Sequence, residues 1–359
     1  MKRFFLAALA IAAIASCAKN EVNEVSDNNQ ITFQTVVGKA TKALVEDTKY
    51  PVGETFGTVA YKVKGGSSEL YIPISEVSNT TSATSGAAWT TETPYYWPKD
   101  ESTLTFYSYS PFKDNGGTNI GGVSSTKDGL TITDYSVASA NRQLTDLMVA
   151  EPITGQIQNG SNDGFTGVPT IFKHKLAQVV AINFQTVAAN PATVKDYANG
   201  HDGTSGKEYV AGDKVYTVTA VTFKKISEQG TYTNVSSESW TETGSKTSEI
   251  TWITGNTTPF TEGKYNTTRT TNGYLLVIPQ TFVASSQQLT IDYTVKTYTD
   301  ATNFATETIS KTVDLSSLHT SWEMNKKYTY TISIGLNQIY WAPSVTDWDT
   351  TMGTGSATI

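Results

Sequence analysis

Asp347 and Asp349 flank Trp348 near the end of the chain. On a strand, residues i and i+2 point to the same face, and paired carboxylates are the working groups of glycoside hydrolysis. Two acids so close to one chain end also describe an ordinary solvated face. His174, His201 and His319 are far apart, and none has metal-ligand spacing. His174 sits between Lys173 and Lys175 at a strand entry, where a structural role is expected. Asp202-Gly203 and Asp114-Asn115-Gly116 contain fragments of calcium loops, but the liganding series is incomplete and they read as turns. No Gly-x-Ser-x-Gly, His-Glu-x-x-His or phosphate loop occurs. Trp89, Tyr95, Tyr96, Trp97, Trp240 and Trp252 could form a sugar-stacking platform, although core and cross-strand packing is the commoner use of such residues. These residues specify no enzyme, no cofactor and no metal site.

The single cysteine, Cys17, carries a stronger signal. Lys2 and Arg3 form a short positive region, and Phe4 to Ile14 an apolar run too short to span a bilayer. Small residues follow, and Ile14-Ala15-Ser16-Cys17 resembles the lipobox of bacterial lipoproteins, where signal peptidase II cleaves before a diacylglycerol-bearing cysteine. A lone cysteine in an exported protein cannot form an internal disulfide, and acylation accounts for it better than chance does. The alternative is an ordinary secretory signal with an incidental cysteine. Each buried methylene contributes ~0.8 kcal/mol, so two or three acyl chains anchor stably where one does not. Residues 18–29 are acidic, polar and free of aromatics, which makes them a tether. An acidic run after the acylated cysteine also resembles the signal that sends Bacteroidetes lipoproteins to the cell surface. The expected location is the outer membrane, facing outward.

Positioning any such groups falls to β-strands. The chain has 359 residues with 19 Tyr, 13 Phe and 7 Trp, a composition that favours strands and two domains of ordinary size. A net charge of −7 offers no basic face for nucleic acid. Apart from the leader, no apolar stretch approaches the length of a membrane span. Ile31, Phe33, Thr35 and Val37 share one face of the first strand expected, Gln30 to Val37. A small-residue loop with Lys39 and Lys42 follows it. Leu289, Ile291, Tyr293 and Val295 alternate with polar residues, as do Tyr328, Tyr330, Ile332 and Ile334. Such period-2 patterning predicts antiparallel strands with one buried face. Residues 159–167 are rich in Gly, Asn and Asp, which places a domain boundary near Gly167. The expected architecture is two consecutive antiparallel β-sandwiches, residues 30–167 and 168–359, after the leader (1–17) and the tether (18–29).

Taken in order, several segments resemble one family. They are the lipobox, Ile31-Thr32-Phe33, Ala40-Thr41-Lys42-Ala43, Phe56-Gly57-Thr58-Val59-Ala60-Tyr61 and Asp146-Leu147-Met148-Val149-Ala150. Phe172-Lys173-His174-Lys175-Leu176-Ala177, Leu275 to Phe282, Asn325 to Tyr330 and Val345-Thr346-Asp347-Trp348 complete the series. Together they resemble the fimbrillin (Mfa-like) family of Bacteroidetes, the subunits of type V pili. The resemblance implies transthyretin-like sandwiches and a lipoprotein precursor whose loop after the first strand is cut by a protease. The first strand then departs, and a strand from a neighbouring subunit fills the groove. Here the departing strand would carry Ile31, Phe33, Thr35 and Val37, and the cut would fall at Lys39 or Lys42. The donor would be the C-terminal segment 339–359, with Ile339, Trp341, Val345 and Ile359. The family's best-known processing follows arginine, yet after the leader the first arginine is Arg142. A lysine-tolerant protease, or retention of the strand in an anchor or tip subunit, are the two ways to meet that departure. Implied partners are other fimbrial subunits, a processing protease, the outer membrane and a host or glycan ligand. A monomeric glycan-binding lipoprotein is the competing reading.

Overall fold

The computed structural model describes residues 29–37, 50, 54–79, 89–112, 120–137, 146–158, 167–186, 195–196, 201–202, 209–244, 246, 249–257, 264–267, 273–334 and 339–348. No α-helix occurs among them, and strands account for most of the described chain. The mainly β architecture expected from the aromatic and β-branched composition is what the chain adopts.

The largest sheet has eight strands. Its order runs Phe33–Val37, Val168–His174, Met148–Ala150, Thr103–Ser110, Phe56–Lys64, Ser67–Ser78 and Thr90–Thr91, with Ile153–Gln156 also paired to Thr103–Ser110. Both faces are buried, and Thr103–Ser110 shows how the sequence achieves this. Leu104 and Phe106 point into one apolar cluster, Tyr107 and Tyr109 into another. Alternation of side chains across a strand therefore serves two cores at once.

The second of these cores lies under a four-stranded sheet, ordered Ser239–Thr243, Gln229–Thr233, Gly129–Ser136 and Gly122–Thr126. This sheet joins distant parts of the chain: Tyr232 lies opposite Ile132, and Gly230 opposite Tyr135. Leu130, Ile132, Tyr135 and Tyr232 from this sheet meet Val59, Tyr107, Tyr109 and Val149 from the large one.

Most of the rest of the described chain packs as a sandwich, apart from a short ribbon of Lys195–Asp196 and His201–Asp202. One sheet runs Lys264–Thr267, Ala177–Thr186, Lys326–Ile334 and Ile339–Asp347, with Leu275–Val277 also paired to Ala177–Thr186. The other runs Glu249–Thr254, Lys214–Lys224, Gln288–Tyr298 and Phe304–Asp314. Leu289, Ile291, Tyr293 and Val295 face Tyr328, Tyr330, Ile332 and Ile334 across a single core, all of them buried. The period-2 pattern of these two segments is the physical cause of that face-to-face packing. Ser321–Trp322 and Gln280–Thr281 form a two-stranded ribbon beside it.

Candidate functional site

The segment 29–37 is hydrogen-bonded along both of its edges. Phe33–Val37 runs parallel to Val168–His174, from Phe33 opposite Val168 to Val37 opposite Phe172. The amide of Val168 donates to Thr32 O at 2.8 Å. On the other edge, Ile31 N donates to Tyr95 O (2.8 Å), Phe33 N to Trp89 O (2.9 Å) and Trp97 N to Asn29 O (3.0 Å). Trp89 is followed directly by Thr90–Thr91, the far end of the same eight-stranded sheet. The order of strands thus returns to its start, and the first strand is the stave that closes it. Taking this strand away would create two sheet edges, each a row of unpaired N–H and C=O groups.

Side chains hold the stave from within. Ile31 and Phe33 are buried beside Phe56, Phe106, Trp89, Val168 and Phe172. The Phe33 ring meets Phe56 and Phe106 edge-on, each at 5.8 Å between centroids. Tyr50 completes the pocket, 5.1 Å from Phe172 and 5.2 Å from Trp89. Its hydroxyl hydrogen-bonds Ser110 Oγ at 2.7 Å and donates to Thr55 O at 3.0 Å. Burial pushes this phenol up to about 12, so it remains a neutral donor. Close approach of the stave also depends on Gly167, where a Cβ would lie 2.7 Å from Thr32 O.

A polar cluster lies where the sheets meet. Phe172, Lys173 and His174 pair with Ala150, Val149 and Met148, and Asp146 Oδ2 is bound to His174 Nδ1. Burial drives the Asp146 carboxyl up, and the His174 hydrogen bond opposes that shift. The Trp348 indole stacks flat on the His174 ring at 4.0 Å, with Lys327 Nζ 5.8 Å from the indole centroid. Lys175, almost fully buried, pairs with Glu238, which also accepts from Tyr232 Oη at 2.7 Å. Burial pushes the Glu238 carboxyl up, but the Lys175 and Tyr232 hydrogen bonds outweigh it and hold the group below its usual range. Trp348 N donates to Asn325 O (2.8 Å) and Asn325 N to Leu176 O (2.9 Å), which ties the end of the last strand to this cluster.

The residues singled out by sequence fall into distinct places. Ile31 and Phe33 are buried and Thr35 is half-buried, while the Val37 side chain, Cys17, Lys39, Lys42 and Ile359 lie outside the described residues. Ile339, Trp341 and Val345 belong to the outermost strand of the five-stranded sheet, paired to Lys326–Ile334 over its full length. Val345 packs against the sandwich core. Asp347 is ion-paired with Lys326 rather than aimed at a cleft, and Asp349 lies outside the described residues. The six aromatics do not gather on one surface: Tyr95 and Trp97 pack, half-buried, against the same core as Trp89. Trp89 and Trp252 are buried in separate cores, and Trp240 packs on Tyr135 and Tyr232 with its Nε1 donating to Lys175 O at 2.7 Å. Sequence reasoning missed that Val168–His174, parallel, and residues 89–97, antiparallel, flank the first strand, because no local pattern marks a pairing partner so distant in the chain.

The family model described as fimbrillin-like matches residues 41–348. A fimbrial protein of Bacteroides vulgatus has a similar solved structure, with a TM-score of 0.60 at 18% identity, covering 89% of this chain and 100% of that one. A candidate cell-adhesion protein of Bacteroides uniformis is similar at a TM-score of 0.47 and 17% identity, covering 90% of this chain and 99% of that one. A search of curated proteins found no match. The match over most of its length shows that the chain belongs to the fimbrillin-like family, whose members are structural proteins of fimbriae and not enzymes.

Proposed function

We propose that this fimbrial protein is a pilus subunit that polymerises by exchanging its first strand for a strand of a neighbouring subunit. The observation that carries the reading is the placement of residues 29–37, held on both edges and by two buried side chains. A strand in that position leaves a groove with two pairing edges and an aromatic floor. An incoming strand regains the ladder hydrogen bonds and buries apolar side chains, each worth ~1.5–3 kcal/mol. The contact is head-to-tail and does not close on itself, so it builds a filament. Acylation at Cys17 would hold the precursor at the outer membrane until a protease cuts at Lys39 or Lys42.

The donor is the segment 339–359 of the next subunit. Its Ile339–Asp347 portion must first give up nine pairings with Lys326–Ile334, and Trp348 must leave His174. A second reading, an anchor subunit that keeps its first strand, is favoured by the lack of arginine between Arg3 and Arg142.

Limited trypsin digestion of the chain tests the proposal. Cutting after Lys39 or Lys42 is expected to give a ladder of oligomers, while a Lys39→Ser/Lys42→Ser chain gives no ladder under the same digestion. A wild-type chain cut in this loop that builds no ladder beyond a pair would overturn strand exchange. A loop that resists cutting would favour the anchor.

A further inference from the structure

Phe304–Asp314 is an outermost strand, paired along its whole length to Gln288–Tyr298 and to no strand on its other side among the described residues. It spans eleven residues, eight of them exposed and Ile309, Val313 and Asp314 half-buried. The Ile339–Asp347 edge carries Pro343, a residue that blunts pairing. Phe304–Asp314 has no proline and no glycine. An edge of this kind is a ready template for another strand.

Two charges decide which strand. Glu307 and Lys311 lie opposite Val295 and Ile291, with Ile309 between them opposite Tyr293. Opposed residues share a face, so both charges stand on the core side of the sheet. Inward-facing charges ordinarily protect an edge, because most incoming strands would leave them unmatched. A second copy of this same strand is the exception. Antiparallel pairing about a twofold axis at Ile309 sets Glu307 against Lys311 of the second copy, and Lys311 against its Glu307. Thr306 then faces Thr312, and Thr308 faces Ser310. A two-residue slip puts a charge opposite Ile309, and parallel in-register pairing sets Glu on Glu and Lys on Lys. The charges therefore permit one register and oppose the others.

We infer that the Phe304–Asp314 edge is a self-recognition surface, through which two copies of this chain join antiparallel about Ile309. The contact is isologous and uses up the edge in both partners, so it stops at a pair. It is independent of strand exchange at the seam, and in a filament it would join subunits sideways.

The test is sedimentation of the full chain carrying Cys17→Ser, with the first strand uncut so that exchange cannot contribute. A monomer–dimer equilibrium is expected. Lys311→Glu places like charges at both symmetric pairs and is expected to weaken it by about tenfold or more. Glu307→Lys alone is expected to weaken it similarly. An equimolar mixture of the two single variants, or the double variant Glu307→Lys/Lys311→Glu, restores opposite-charge pairing and is expected to recover dimer. Ile309→Cys, which meets its own copy on the axis, is expected to form an intermolecular disulfide on mild oxidation. A chain that stays monomeric and gives no Ile309→Cys cross-link would overturn the inference. So would a dimer indifferent to both charge reversals.

Discussion

Replacing Phe33 by alanine is expected to lower the unfolding free energy by about 3–5 kcal/mol, the range for a large aromatic removed from a packed core. The Phe33 ring is 2% exposed and touches Phe56 and Phe106 edge-on from the centre of the closing stave. The surrounding rings come from strands fixed on both sides in the sheet, so they cannot collapse into the space. Urea unfolding of the full, uncut chain measures the cost. The same substitution should speed release of residues 29–37 once the following loop is cut, because the strand loses its main anchor. A cost below about 1 kcal/mol, the level of an ordinary surface change, would mean that the strand is not a structural part of the core.

A comparable loss, about 3–5 kcal/mol, is expected for Trp322→Ala. Trp322 is 1% exposed, with its ring 5.0 Å from Phe282 and 5.7 Å from Phe223. Its Nε1 donates to Tyr330 Oη at 2.8 Å, inside the sandwich core. Trp322→Phe keeps most of the ring volume and removes this donor, leaving the buried Tyr330 hydroxyl short of a partner. The expected cost is smaller, about 1–3 kcal/mol. Equal losses for the two variants would assign the whole effect to the hydrogen bond and none to packing. Tyr330 lies on Lys326–Ile334, the strand that holds Ile339–Asp347, so this contact also steadies the partner from which a donor strand would have to separate.

The two alternating segments were legible in sequence because a strand buried on one face writes its burial directly into period 2. Leu289 to Val295 and Tyr328 to Ile334 are the clearest cases. Pairing partners were not legible. Gln229–Thr233 completes a sheet begun by Gly129–Ser136, and Phe33–Val37 lies parallel to Val168–His174. Neither choice leaves a local trace, since ladder hydrogen bonds are made by backbone groups that every sequence carries. The stretch 159–167 reads as a linker because glycine is common in loops, and its residues 159–166 lie outside the described residues. Gly167 itself sits where the first strand comes too close for a side chain. Trp89 likewise suited a surface platform or a core equally well by type alone. Its burial beside Tyr50 and Phe56 is a consequence of closing the sheet.

The most direct test of the central claim is competition by a synthetic peptide of residues 29–37 against oligomer growth of the trypsin-cut chain. If the first strand's groove is the one that a neighbour fills, excess peptide should reoccupy it and stop the growth of the ladder. A peptide carrying Phe33→Glu should have no effect. Oligomers that grow at the same rate with and without the unmodified peptide would contradict the account.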